Sequence, residues 1–226
     1  MSFARRIVAE GLGTAMLLAV VVGSGIMAER LAGGNVALAL LANAIATGAG
    51  LGALILTFGA LSGAHFNPVV TLSAALRGEL AVRDVAPYIV IQVIGAYAGV
   101  AAAHAMFGEP LFCASQHVRT GAAQWWSECV ATFGLIAVII GCSRNRPTMT
   151  PFAVAAYITA AYWFTSSTSF ANPAVTLARS ASNTFAGIRP ADTPAFIIAQ
   201  LLGAAAATAL FCWLYPTAAD TKAASQ

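Results

Sequence analysis

"SFANPAVTLARS", residues 169–180, interrupts an apolar run with Asn172-Pro173-Ala174 and resumes it at Val175. A related stretch, "GAHFNPVVTLSAALRG", occupies residues 63–78 and carries Asn67-Pro68-Val69. Asn is a favoured N-cap because its side-chain oxygen accepts from the N–H groups that a first helical turn leaves unpaired. Pro suits the next position, where no N–H is needed and its φ is already helical. Each Asn-Pro therefore predicts a helix start. The following long apolar run begins only about 20 residues later, so each helix is short, reaching about Leu76 in the first stretch and Ala181 in the second.

The surroundings are those of a membrane protein. Of the 226 residues, 59% are apolar and 8% charged, too little charge to coat a soluble domain of this size. Apolar runs fall at about residues 7–28, 35–60, 86–107, 127–142, 150–168 and 194–215. Each is near the ~20 residues that cross a bilayer as a helix. The net charge of +3 does not point to nucleic acid. With a cytoplasmic N-terminus, Arg5, Arg6, Arg77, Arg83, Arg144, Arg146 and Lys222 fall inside, and Arg30, Arg119, Arg179 and Arg189 outside. That distribution follows the positive-inside rule. Glu10 breaks the first run, which is also too long for a signal-peptide core, so Arg5-Arg6 reads as the flank of a span. Cys113, Cys129, Cys142 and Cys212 lack ligand spacing and read as apolar packers, with no metal, cofactor or disulfide framework implied.

The two Asn-Pro stretches belong to a longer repeat. Glu10-x-x-x-Thr14, Asn67-Pro68-Val69-Val70-Thr71-Leu72 and Gln92-Val93-Ile94-Gly95-Ala96 recur in order as Glu128-x-x-x-Thr132, Asn172-Pro173-Ala174-Val175-Thr176-Leu177 and Gln200-Leu201-Leu202-Gly203-Ala204. The halves cover about residues 7–107 and 127–215 of a single domain, 1–226. Each half holds an odd number of spans, so the second is inverted relative to the first, an arrangement that puts a binding or conducting site at the midplane. Irregular backbone at membrane depth survives only when buried in protein or lining a watery cavity. The expected fold is an all-α membrane protein with six transmembrane helices and two re-entrant half-helices whose N-termini meet. Such ends concentrate partial positive charge and repel cations. If Asn67 and Asn172 cap their own helices, their amide NH2 groups stay free to donate to a passing neutral solute.

These residues resemble the aquaporin or major intrinsic protein family, whose signature is two Asn-Pro-Ala boxes in inverted halves. The resemblance runs from Glu10 to about Tyr215. It implies one pore per subunit, a homotetramer in the lipid bilayer and passage of small neutral solutes. Here the first box ends in Val69, and the position after the second box, usually Arg in the family, is Val175. Gapless counting puts the other constriction positions at Thr47, Ala160 and Ser169, with Tyr157 or Trp163 as span-five alternatives. That filter is small-sided and uncharged. His65 is expected on the pore wall. The family uses Glu10 and Glu128 as braces for the inverted loops, in preference to the proton relay that an intramembrane carboxylate otherwise suggests. Arg179, four residues beyond Val175 and one turn nearer the outer surface, is expected to snorkel to the interface, the alternative being that it replaces the missing Arg. "GAGLG" at 48–52 reads as close helix packing rather than a phosphate loop.

No catalytic motif is visible, and the expected activity is passive conduction of water, glycerol, urea or neutral metalloid hydroxides such as arsenite. The missing Arg resembles bacterial channels linked to arsenic resistance, while the absence of an Asp after the second box weakens glycerol as the main cargo. The alternatives are a water-selective aquaporin and, from another class, an ion-coupled transporter, which would need charged coupling residues at the midplane. The expected location is a bacterial plasma membrane with both termini cytoplasmic.

Overall fold

A computed structural model describes residues 1–215 of the chain. Lys222, counted above among the inner basic residues, lies outside them. The described residues form eight α-helices: α1 Phe3–Leu31, α2 Val36–Ser62, α3 Pro68–Leu76, α4 Val82–Phe107, α5 Ala122–Asn145, α6 Thr150–Phe164, α7 Pro173–Arg179 and α8 Thr193–Leu214. Five stretches are long and apolar enough to cross a membrane: α1, α2, α4, α5, and α8 with the 3-10 turn that leads into it. The sixth span is shorter than expected. α6 has 15 residues and stops at Phe164, which at 1.5 Å per residue is about 22 Å. Beyond it the chain turns into the loop before α7, where Thr168, Ser169 and Ala171 take left-handed backbone conformations. α7 ends at Arg179, two residues short of the expected limit.

The packing repeats as the sequence does. α1 lies against α4 and α2, and α5 against α8 and α6 in the same way, while α2 and α6 join the halves. Closeness comes from small residues. A Cβ added at Gly95 would strike the Gly11 carbonyl, and one at Gly203, its counterpart, would strike the Cys129 carbonyl. Gly48 and Gly52 meet α6 at Thr159 and Ala155, and Gly50 meets Val20 of α1, so the glycine run is a helix contact. The outward faces carry large apolar side chains, among them Leu12, Met16, Ile45, Ile94 and Leu202, as contact with lipid requires.

Charges cluster at the two ends of the bundle. At the end where α1 begins, Arg6 pairs with Asp84 and Arg77 with Glu79. At the other, Arg30 pairs with Glu109 and Arg189 with Asp192. The four cysteines are unpaired.

Candidate pore

α3 and α7 enter the bundle from opposite ends and touch at their N-termini. Each start is capped as Asn-Pro predicts: the Asn67 side-chain oxygen accepts from Val69 N–H, and that of Asn172 from Ala174 and Val175 N–H. The amide groups are not wholly free, contrary to expectation. Asn67 Nδ2 donates to the Ala171 carbonyl at 2.8 Å, and Asn172 Nδ2 donates to the Phe66 carbonyl at 2.8 Å. One N–H of each amide ties the halves together, and the other makes no hydrogen bond to the described residues.

The loops entering the half-helices are held by carboxylates. Ala64 and Phe66 in the first, and Thr168, Ser169 and Ala171 in the second, have positive φ, which costs a side-chain-bearing residue about 1–3 kcal/mol. Buried Glu10 accepts from His65 and Phe66 N–H at 2.9 and 2.8 Å, from Ser62 Oγ and from Gln92 Nε2. Buried Glu128 accepts from Phe170 and Ala171 N–H at 2.8 and 2.9 Å and from Gln200 Nε2. Gln92 and Gln200 also reach Thr71 and Thr176, linking each carboxylate to its half-helix. Charge-assisted bonds of this kind are roughly twice as strong as neutral ones and offset the backbone strain.

A cavity of about 370 Å³ runs past this junction, from Arg6, Arg77 and Glu79 at one end to Phe170 and Arg179 at the other. Asn67 and Asn172 line it, as do His65, Thr47, Ser169 and Val175. Pro68, Val69, Pro173 and Ala174 are buried behind it as the first turns of the half-helices. His65 Nδ1 bonds the Thr71 hydroxyl at 3.1 Å. Among the described residues, Ser169 Oγ is buried without a partner.

Ala160 corrects the sequence reading. It is exposed on the outer side of α6, whereas Val154, Ile158 and Tyr162, four residues apart, line the cavity. Ala160 follows Ile158 by two residues, which turns it about 200° around the helix. Neither alternative lines the cavity either. Tyr157 points into α5, its hydroxyl donating to the Ala131 carbonyl at 3.1 Å, and Trp163 is 48% exposed. The missed residue is Tyr162, whose hydroxyl meets Thr47 Oγ1 at 3.3 Å across the cavity wall. The four-residue spacing with Val154 and Ile158 does not single it out, because the exposed face of α6, with Phe152, Ala156 and Ala160, is equally apolar.

Arg179 also departs from expectation. It is 2% exposed, turned into the cavity wall, with its guanidinium over the ring of Phe170 rather than at an interface.

The Major intrinsic protein family matches residues 1–160. The chain is 60% identical to an aquaglyceroporin, AqpS, of Rhizobium meliloti (strain 1021) over 93% of its own length and 90% of the relative's. It is 29% identical to a probable glycerol uptake facilitator protein of Thermotoga maritima over 61% and 64% of the two chains. The fold superimposes on the X-ray structure of the aquaglyceroporin from Plasmodium falciparum with a TM-score of 0.66 over the whole of both chains, at 18% identity. With paired half-helices, braced loops and a cavity between them, the chain is an integral membrane channel protein of the major intrinsic protein family.

Proposed function

We propose that the protein passively conducts water and small uncharged solutes, with a constriction suited to glycerol, urea or neutral metalloid hydroxides such as arsenous acid. The observation that carries this reading is Val175 on the cavity wall directly after Asn172-Pro173-Ala174. A short apolar side chain stands there with Thr47 and Ser169, leaving room that a side chain crossing the lumen would take. The family supplies a route without chemistry, and the aquaglyceroporin relative supports solutes larger than water. One domain spanning residues 1–226, a homotetramer, a plasma-membrane location and cytoplasmic termini complete the proposal.

Tyr162 favours a second reading, a water-selective pore, because it puts an aromatic side chain on the cavity wall beside Thr47, to which its hydroxyl donates at 3.3 Å. Stopped-flow shrinkage and reswelling of proteoliposomes separates the two. Permeability to glycerol, urea and arsenous acid above that of empty vesicles supports the wide pore; water permeability alone supports the narrow one.

A further inference from the structure

The uncharged constriction leaves a buried charge unaccounted for. Arg179 ends α7, and among the described residues no carboxylate lies within ion-pair distance of it. Its Nε donates to the Ala186 carbonyl, and its guanidinium carbon lies 3.4 Å from the centroid of Phe170. The terminal N–H groups make no hydrogen bond to the described residues, and the side chain lines the cavity. A second guanidinium, that of Arg119, sits 5.0 Å from the same ring. This guanidinium is held by the carbonyls of Gly187 and Ser167; the Arg119 backbone N–H donates to Asp192 at 2.9 Å, but among the described residues no carboxylate lies within ion-pair distance of the side chain.

These contacts locate the charge. Arg179 and Val175 are four residues apart and share one face of α7, and helical side chains lean toward the helix N-terminus. The arginine side chain therefore runs back over the turn that carries Val175. Phe170 precedes the helix, so a guanidinium over its ring has returned toward the loop where the helix begins.

We infer that Arg179 is the cation-excluding group of the outer constriction, delivered from one helical turn beyond the position that Val175 occupies. The inference rests on the channel reading and adds a specificity-determining residue to it. Phe170 and Ala186 hold the guanidinium against the wall, so the pore keeps its width and a fixed positive charge together. The free N–H groups face solutes rich in oxygen acceptors, which fits neutral hydroxylated molecules and repels cations.

The test compares wild type with Arg179→Met in proteoliposomes, reading potassium leak and glycerol and water permeability together. The expected result is a potassium leak raised about tenfold or more, equivalent to about 1.4 kcal/mol of barrier, with neutral-solute flux retained. Arg179→Lys, and Val175→Arg added to Arg179→Met, should each restore exclusion. A wild type that conducts no neutral solute sinks the channel reading itself. A conducting wild type whose Arg179→Met variant stays tight to potassium overturns only this inference.

Should Arg179→Met not purify folded, two proteins that keep Arg179 decide the matter. Val175→Cys, and Val70→Cys at the matching position of the first repeat, are made without the four native cysteines. Both positions line the cavity beside the paired half-helix ends, and Arg77 near Val70 is neutralised by Glu79 at 2.6 Å. In detergent, anionic over cationic methanethiosulfonate labelling should be favoured about tenfold more at Val175→Cys than at Val70→Cys, as an unpaired nearby charge requires. Equal preference at the two positions overturns the inference.

Discussion

Asn172 does two things that only a carboxamide does together. Its oxygen accepts from two N–H groups of its own helix, and its nitrogen donates to the carbonyl of the opposing loop. Asn172→Asp keeps the acceptor and loses the donor, and it places a carboxylate where two helix ends concentrate positive charge. The expected outcome is lower glycerol flux and a measurable sodium leak in proteoliposomes; unchanged values for both would show that the barrier lies elsewhere. Val175→Arg acts on width. A guanidinium projecting from that position, next to the one already seated on Phe170, fills the lumen with five more donors. Glycerol and arsenous acid permeability should fall about tenfold or more, about 1.4 kcal/mol in the barrier, while water permeability stays within a few-fold. If arsenous acid flux is unchanged, Thr47 and Tyr162 do not form the constriction with Val175.

The half-helices and their braces stand or fall as elements. Glu128→Gln replaces an anion that accepts from Phe170 and Ala171 N–H with an amide that keeps one oxygen. Hydrogen bonds to charged groups exceed neutral ones by roughly 1 kcal/mol each, so a loss of about 2 kcal/mol is expected. Folded yield and the unfolding temperature in detergent should drop, with the pH dependence of transport unaltered; a stable variant that loses pH sensitivity would instead indicate a proton relay. Gly203→Val forces a side chain against the Cys129 carbonyl. The clash is with backbone, so α8 must move off α5, at a cost on the order of 1–3 kcal/mol or more. Gly95→Val should lower the unfolding temperature similarly, because the Gly11 carbonyl faces it in the matching half. A neutral result at either glycine would contradict the helix spacing described here.

At the scale of the whole molecule, the inverted repeat explains why so much of the architecture was legible. Asn67, Asn172, Glu10, Glu128, Gln92 and Gln200 are polar residues in an apolar chain, so their spacing shows through, and each has a partner that only its counterpart's half reproduces. The register of α6 was not legible for the opposite reason. Its lipid-facing and cavity-facing residues are both apolar or small, and a helix apolar all round has no stripe to fix its rotation, which is how Ala160 was placed on the wrong face. The burial of Arg179 depends on Phe170 and Ala186, residues of two loops that nothing in the local pattern brings to it. On the proposed function, neutral solutes move through a permanently built cavity, with no ion coupled to them. The direct measurement is the initial rate of glycerol entry into proteoliposomes as the outside concentration is raised, with and without glycerol preloaded inside and with and without a sodium or proton gradient. Rates proportional to the glycerol gradient are expected, with no acceleration of isotope exchange by preloaded solute and no response to either ion gradient. A saturating rate with counterflow, or uphill accumulation driven by an ion gradient, would contradict the proposed function.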